Sequence, residues 1–248
     1  MATDYQDLLD LVKARRSIHR YKPDPVPDDY IHKILEAARF APSGANAQHW
    51  EFIVIRDKAV RARIIELFKE QAAVGKKMEL TRKEALRADR AYTDPNEDPG
   101  FKDAPVWILL LGDQRTKEQF ILSALYSVGE ANFRSGLAMA FLYMHLAARS
   151  LGLGSQWVTS TALPLMTVQL KELLGIPGDL IIYDMMPVGF PAHEPKARPV
   201  KTIKEIVHHD RYDRSKYKSD RQVEDFIIAE RTRTRRPKPQ TPQKEGAH

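Results

Sequence analysis

The chain has 248 residues, 43% hydrophobic and 29% charged, enough for one large domain or two small ones. It contains no cysteine, which excludes disulfides, thiolate metal sites and cysteine nucleophiles and fits a cytoplasmic protein. No apolar run reaches the roughly 18–20 residues that span a bilayer, the acidic opening has no apolar signal segment, and six basic against two acidic residues from Glu230 to His248 carry +4 of the net +6.

The body is therefore nearly neutral, and a nucleic-acid role would rest on the tail alone. In chain order, Asp4 is placed to cap a first helix carrying Leu8, Leu9 and Val12 and ending near Arg16. Lys22 to Pro27 spaces three prolines two apart, which forbids helix and predicts an extended strap. Asp28 or Asp29 is the expected cap of a second helix with Ile31, Ile34, Leu35 and Ala38 on its apolar face.

A turn-rich loop, Ala41 to Asn46, feeds a short buried strand, Trp50 to Ile55. Ile64, Ile65 and Phe68 mark a third helix, and between Gly75 and Lys102 the apolar period is lost among charges, predicting a surface excursion. Pro105 to Leu111 reads as a central strand, and a long helix apolar on most sides is expected from Phe120 to Ser150. A glycine turn at Leu151–Gly154 then leads into a strand through Val158. A helix follows from Leu165 to Leu174, and a last strand runs from Leu180 toward Pro187–Pro191. Irregular mixing of strands and helices predicts an α+β fold, one domain over residues 1–229 and a flexible basic tail over 230–248.

Several short segments could carry chemistry. Arg15, Arg16, Ser17, His19 and Arg20 gather basic groups and a hydroxyl where a helix ends, a set suited to a phosphate, although basic residues also satisfy a helix C-terminus. Ser43, Asn46 and Gln48 could meet the edge of a heterocycle or serve only as turn formers. Lys196 and Arg198 form another basic spot. The histidines show no metal-ligand spacing, and neither a P-loop nor a Rossmann glycine signature is present.

The order of these segments resembles the FMN-dependent nitroreductase family. Arg-Arg-Ser precedes the strap, Ala41-Pro42-Ser43-Gly44-Ala45-Asn46-Ala47-Gln48-His49-Trp50 follows, and then come Leu151–Ser155, Pro187–Pro191 and Pro195–Pro199. The resemblance spans about Tyr5 to Val207 and implies helices flanking a central mixed or antiparallel sheet, in an intertwined homodimer with FMN sites at the interface. By position, Arg15, Arg16, Ser17 and His19 would hold the phosphate and ribityl chain, and Lys196 and Arg198 would close on the same phosphate. Pro42, Ser43 and Asn46 would line the flavin from the partner subunit, and Trp157, Val158, Thr159 and Ser160 would lie near its N5 and O4. His19 and His49 stand where the family usually has a basic residue and a proline.

The implied activity is reduction of a small organic acceptor, nitroaromatic or quinone-like, by NADH or NADPH in a ping-pong cycle; no obligatory catalytic acid is identified. Alternatives are a reductive-dehalogenase or flavin-fragmenting branch of the same fold, a flavin-binding regulator, and a nucleic-acid binder acting through its tail.

Overall fold

A computed structural model describes residues 4–84, 97–119 and 128–233. Helix α1 (Tyr5–Ala14) is capped by Asp4, whose carboxylate accepts from the Gln6 amide at 2.9 Å, and stops where Arg15 turns extended. Helix α2 (Asp28–Arg39) begins after Pro27 without a side-chain cap. Asp28 and Asp29, expected as caps, lie instead in its first turn, facing the positive end of the dipole. Their carboxylates pair with Arg56 and Lys33, each at 2.7 Å.

Strand β1 (Trp50–Ile55), helix α3 (Lys58–Glu79) and strand β2 (Val106–Asp113) follow. Helix α3 runs past Gly75, where the apolar period fades, because one glycine costs a long helix only about 1 kcal/mol. The end of the expected surface excursion is also pinned inside: Phe101 is buried edge-on between Phe68 and Trp107, at 5.0 and 5.4 Å. Helix α4 (Val128–Ser150) is the long apolar helix; its expected first residues, 120–127, lie outside the described residues. After it come β3 (Gly154–Ser155), α5 (Pro164–Leu174) and β4 (Leu180–Gly189).

The strands form one antiparallel sheet in the order β1-β2-β4-β3. The strand expected through Val158 shrinks to the two residues of β3 and an isolated pairing of Val158 with Met185. Strand β2 is buried on both faces. Trp107, Leu109 and Leu111 pack with Ile64 and Leu67 of α3 and Met166 and Leu170 of α5. Val106, Ile108 and Leu110 pack with Ile31 and Ile34 of α2 and Phe133, Leu137 and Phe141 of α4. Strand β1 is only half-buried over Phe52–Val54, as befits an edge strand.

The chain groups into two compact units. The first, residues 1–71 and 95–197, holds the sheet and its helical layers. The second comprises residues 72–94 and 198–248. Its described part includes the last turns of α3, the short helix α6 (Ile203–Ile206) with a Thr202–Glu205 capping box, and α7 (Asp220–Arg233). The Phe226 ring of α7 lies under the ammonium groups of Lys201 and Lys218, at 5.3 and 5.6 Å. Helix α7 continues through the first residues of the basic tail; residues 234–248 lie outside the described residues.

Candidate functional site

The first cluster forms where α1 ends. The Arg15 amide closes the helix on the Leu11 carbonyl at 3.1 Å, and the chain then pairs with β3, Ser17 bridging to Ser155 and the Ile18 amide donating to the Ser155 carbonyl at 3.0 Å. Ile18 is buried and fixes this corner, filling the space beside Gly154 so closely that an added Cβ there would stand 2.6 Å from it. Arg15 and Arg16 remain half-buried, and Ser17 is exposed.

Burial, and then the charge of Arg16, hold the Arg15 guanidinium below its usual range. Arg16 donates to the carbonyls of Lys13 and Arg15, the latter at 2.8 Å. Neither arginine pairs with a carboxylate among the described residues. Two adjacent guanidinium groups without a counter-charge, beside a free hydroxyl, are chemically a receptor for an anion such as a phosphate monoester. His19 is half-buried on the same segment.

The segment after β4 returns to this region. The Lys22 backbone amide donates to the Phe190 carbonyl at 2.8 Å, and that of Ala192 to the Arg20 carbonyl at 3.0 Å. Lys196 follows four residues later, exposed. Arg198 is also exposed and belongs to the second unit.

Of the second cluster, the sequence reading singled out Trp157 but neither His145 nor Asp184. His145 of α4 is fully buried, its Nδ1 2.7 Å from the Ser155 hydroxyl and its Nε2 without a partner among the described residues. Burial and then the nearby Arg15 lower it to about 3, so the ring is neutral. Trp157 stacks on it at 5.6 Å and 21°, meets Phe141 edge-on at 4.7 Å, and donates its indole N–H to Asp184 at 2.5 Å. Asp184 sits just past a bulge in β4, where Leu110 faces Asp184 but Leu111 faces Ile182, leaving Tyr183 as the extra residue.

Burial raises Asp184 to about 6, against the opposing pull of the Trp157 bond and the Arg134 charge. The Tyr183 hydroxyl is raised as well, first by burial and then by Asp184. A lone acid in the apolar run Leu180–Gly189 was the available sequence signal for this cluster.

Trp157 keeps an exposed edge, and Thr159 is exposed beside it. Val158 is buried and exchanges both backbone hydrogen bonds with Met185, at 3.0 and 3.1 Å, so it places its neighbours rather than offering a side chain. Ser160 opens a 3-10 turn, Ser160–Ala162. Neither the Thr159 nor the Ser160 hydroxyl has a partner among the described residues.

The third cluster is the loop before β1. Ala45, Asn46 and Gln48 all take positive φ, at 52°, 53° and 45°. Three such residues, none of them glycine, within four positions store backbone strain of the kind found at binding loops. The Ser43 hydroxyl accepts from the Gln48 amide at 3.0 Å and the Ser43 carbonyl from the Asn46 amide at 3.0 Å, leaving Pro42 and the Asn46 side chain exposed. His49 anchors the loop beneath: buried, held below its usual range by that burial, and 3.2 Å from the Thr116 hydroxyl. Among the described residues no hydrogen bond or ion pair joins this loop to Arg15, Arg16, Ser17 or Trp157.

A profile of the Nitroreductase family matches residues 12–190. An NADH dehydrogenase of Thermus thermophilus is 31% identical over 188 residues, 73% of this chain and 84% of the relative. An iodotyrosine deiodinase of Thermotoga neapolitana is 29% identical over 196 residues, 77% and 91% of the two chains. The crystal structure of an oxidized iodotyrosine deiodinase bound to FMN and 3-iodo-L-tyrosine superposes with a TM-score of 0.65 at 25% identity, covering 83% of this chain and all of that one.

Proposed function

The chain belongs to the nitroreductase family, and from that premise we propose that it is an FMN-dependent oxidoreductase that draws electrons from NADH or NADPH and reduces a small organic acceptor, nitroaromatic or quinone-like. The observation that carries the reading is the uncompensated Arg15–Arg16 pair beside the free Ser17 hydroxyl, on a corner pinned to β3. These groups suit the phosphate of FMN, with His19, Lys196 and Arg198 as further donors to the phosphate and ribityl chain.

When bound, the flavin accepts hydride from the nicotinamide and returns electrons to the acceptor. The chain supplies placement and charge. Arg15 and Arg16 would neutralise the phosphate and so hold the cofactor, and the edge formed by Trp157, Val158, Thr159 and Ser160 would fix the ring. Because one pocket must serve both nicotinamide and acceptor, we expect a ping-pong order.

Among the described residues the Pro42–Asn46 loop shares no hydrogen bond or ion pair with Arg15, Arg16 or Ser17 of its own chain, which supports its serving the site of a partner subunit in a homodimer. Tyr5, Leu8 and Val12, exposed along one face of α1, support such a dimer as well. No helix among the described residues is long and apolar enough to cross a membrane; with the absence of cysteine, this supports a cytoplasmic address. We assign the enzyme to residues 1–229 and no part of it to the basic tail.

An absorption spectrum of the purified protein, with the heat-released cofactor identified by chromatography, tests the reading. About one FMN per chain is expected; a colourless protein that takes up no added FMN refutes it. The free hydroxyls of Thr159 and Ser160 favour a second reading, reductive dehalogenation of a halogenated phenol, since a hydroxyl at the flavin N5 suits one-electron chemistry. Iodide release from 3-iodo-L-tyrosine, measured beside nitroaromatic reduction, separates the two.

A further inference from the structure

We infer that Asp184 and His145 are positioning residues of the flavin site, clamping Trp157 so that Trp157–Ser160 forms a fixed edge for the ring. This rests on the flavin reading above and deepens it. Trp157 is held from three directions: by the Asp184 carboxylate at 2.5 Å, the His145 ring stacked at 5.6 Å and the Phe141 ring at 4.7 Å. An exposed indole without such partners samples several rotamers; these three contacts favour the one seen.

The backbone beneath is equally constrained. Gln156 donates to the Pro187 carbonyl at 3.2 Å, and Val158 exchanges two bonds with Met185. The β4 bulge at Tyr183 marks the place where Asp184 meets the indole, a use of irregular pairing to re-aim a side chain. A structural apolar contact would not require a carboxylate in an otherwise apolar strand, where its burial is costly.

The same network reaches the phosphate corner. His145 is oriented by the Ser155 hydroxyl at 2.7 Å, and Ser155 bridges to Ser17. One buried set of contacts thus supports both ends of the proposed site, so that loosening Trp157 should be felt in cofactor affinity. The mechanism is indirect: neither Asp184 nor His145 needs to touch the flavin.

The test is titration of stripped protein with FMN, following flavin fluorescence, in the wild type, W157F, D184L, D184N and the W157F/D184L double variant. W157F and D184L should each weaken FMN binding about tenfold. The double variant should be no weaker than either single one, since both break one bond. D184N keeps an oxygen for the indole N–H and should bind within about twofold of wild type. Wild-type affinity in W157F and D184L, or losses that multiply in the double variant, would overturn the inference. If D184L does not fold, an unchanged affinity in W157F suffices to overturn it. Failure of the wild type itself to bind FMN would instead remove the flavin reading.

Discussion

Replacing Asp184 with Asn removes a buried charge while leaving an oxygen to accept the Trp157 N–H. Burial raises the Asp184 carboxyl to about 6 from 3.8, so between these values the folded chain keeps a proton that the unfolded chain has released. The sign follows: stability falls as pH rises through this window, and stays lowered above about 6. At about 1.4 kcal/mol per pH unit, the two-unit window amounts to about 3 kcal/mol, or about 2 once the carboxyl's residual access to water is allowed for.

The Tyr183 hydroxyl beside Asp184 is raised above its ordinary value and stays neutral between pH 4 and 7.5, and His145 remains neutral in the folded chain there. Every other group is common to both proteins and cancels in their difference. Urea unfolding of stripped protein, followed by tryptophan fluorescence, should show D184N and wild type equal at pH 4 and D184N ahead by about 2 kcal/mol at pH 7.5. A difference that does not change with pH would refute a raised Asp184.

On the phosphate assignment proposed above, Arg15→Ala would remove a charge-assisted contact of about 1.5–3 kcal/mol and should lower FMN retention at least tenfold, as should Arg198→Ala; unchanged flavin occupancy in both purified variants would remove that assignment. Gly136→Ala places a Cβ 2.6 Å from His49 Nε2 and 3.3 Å from the Ser43 Cβ. Overpacking of about 1–3 kcal/mol outweighs a helix-propensity gain of about 1, so the melting temperature should drop by roughly 2–4 °C; a rise would show that His49 moves aside freely.

Much of the sheet was legible because its central strands are unbroken apolar runs. Pro105–Leu111 could be read as buried on both faces, and the sheet places it between β1 and β4. Where a local signal competed with a long-range one, the reading failed. Asp28 and Asp29 have the chemistry of caps, but their carboxylates are taken by Arg56 and Lys33. The charge-rich stretch after Gly75 hid Phe101, whose place among Phe68 and Trp107 depends on a helix more than thirty residues earlier.

The Arg15 corner and the loop at Ser43 were visible as residue types in order. The clamp on Trp157 was not, because His145, Ser155 and Asp184 come from three elements and meet only when β3 and β4 pair with one another. Ordered motifs single out the groups proposed to face a ligand, whereas the groups that hold them in place are scattered through the chain.

The sheet order carries a consequence for biosynthesis. Strand β4 is the last strand among the described residues yet inserts between β2 and β3, pairing with β2 residues 67 to 82 positions earlier. Until Gly189 has left the ribosome, β2 offers a long apolar edge with no partner on one side. Such late, long-range closure slows folding and leaves the nascent chain open to association with its neighbours. A chain stopped before Leu180 would keep that edge permanently, and its fate in a cell would be capture by a chaperone or aggregation.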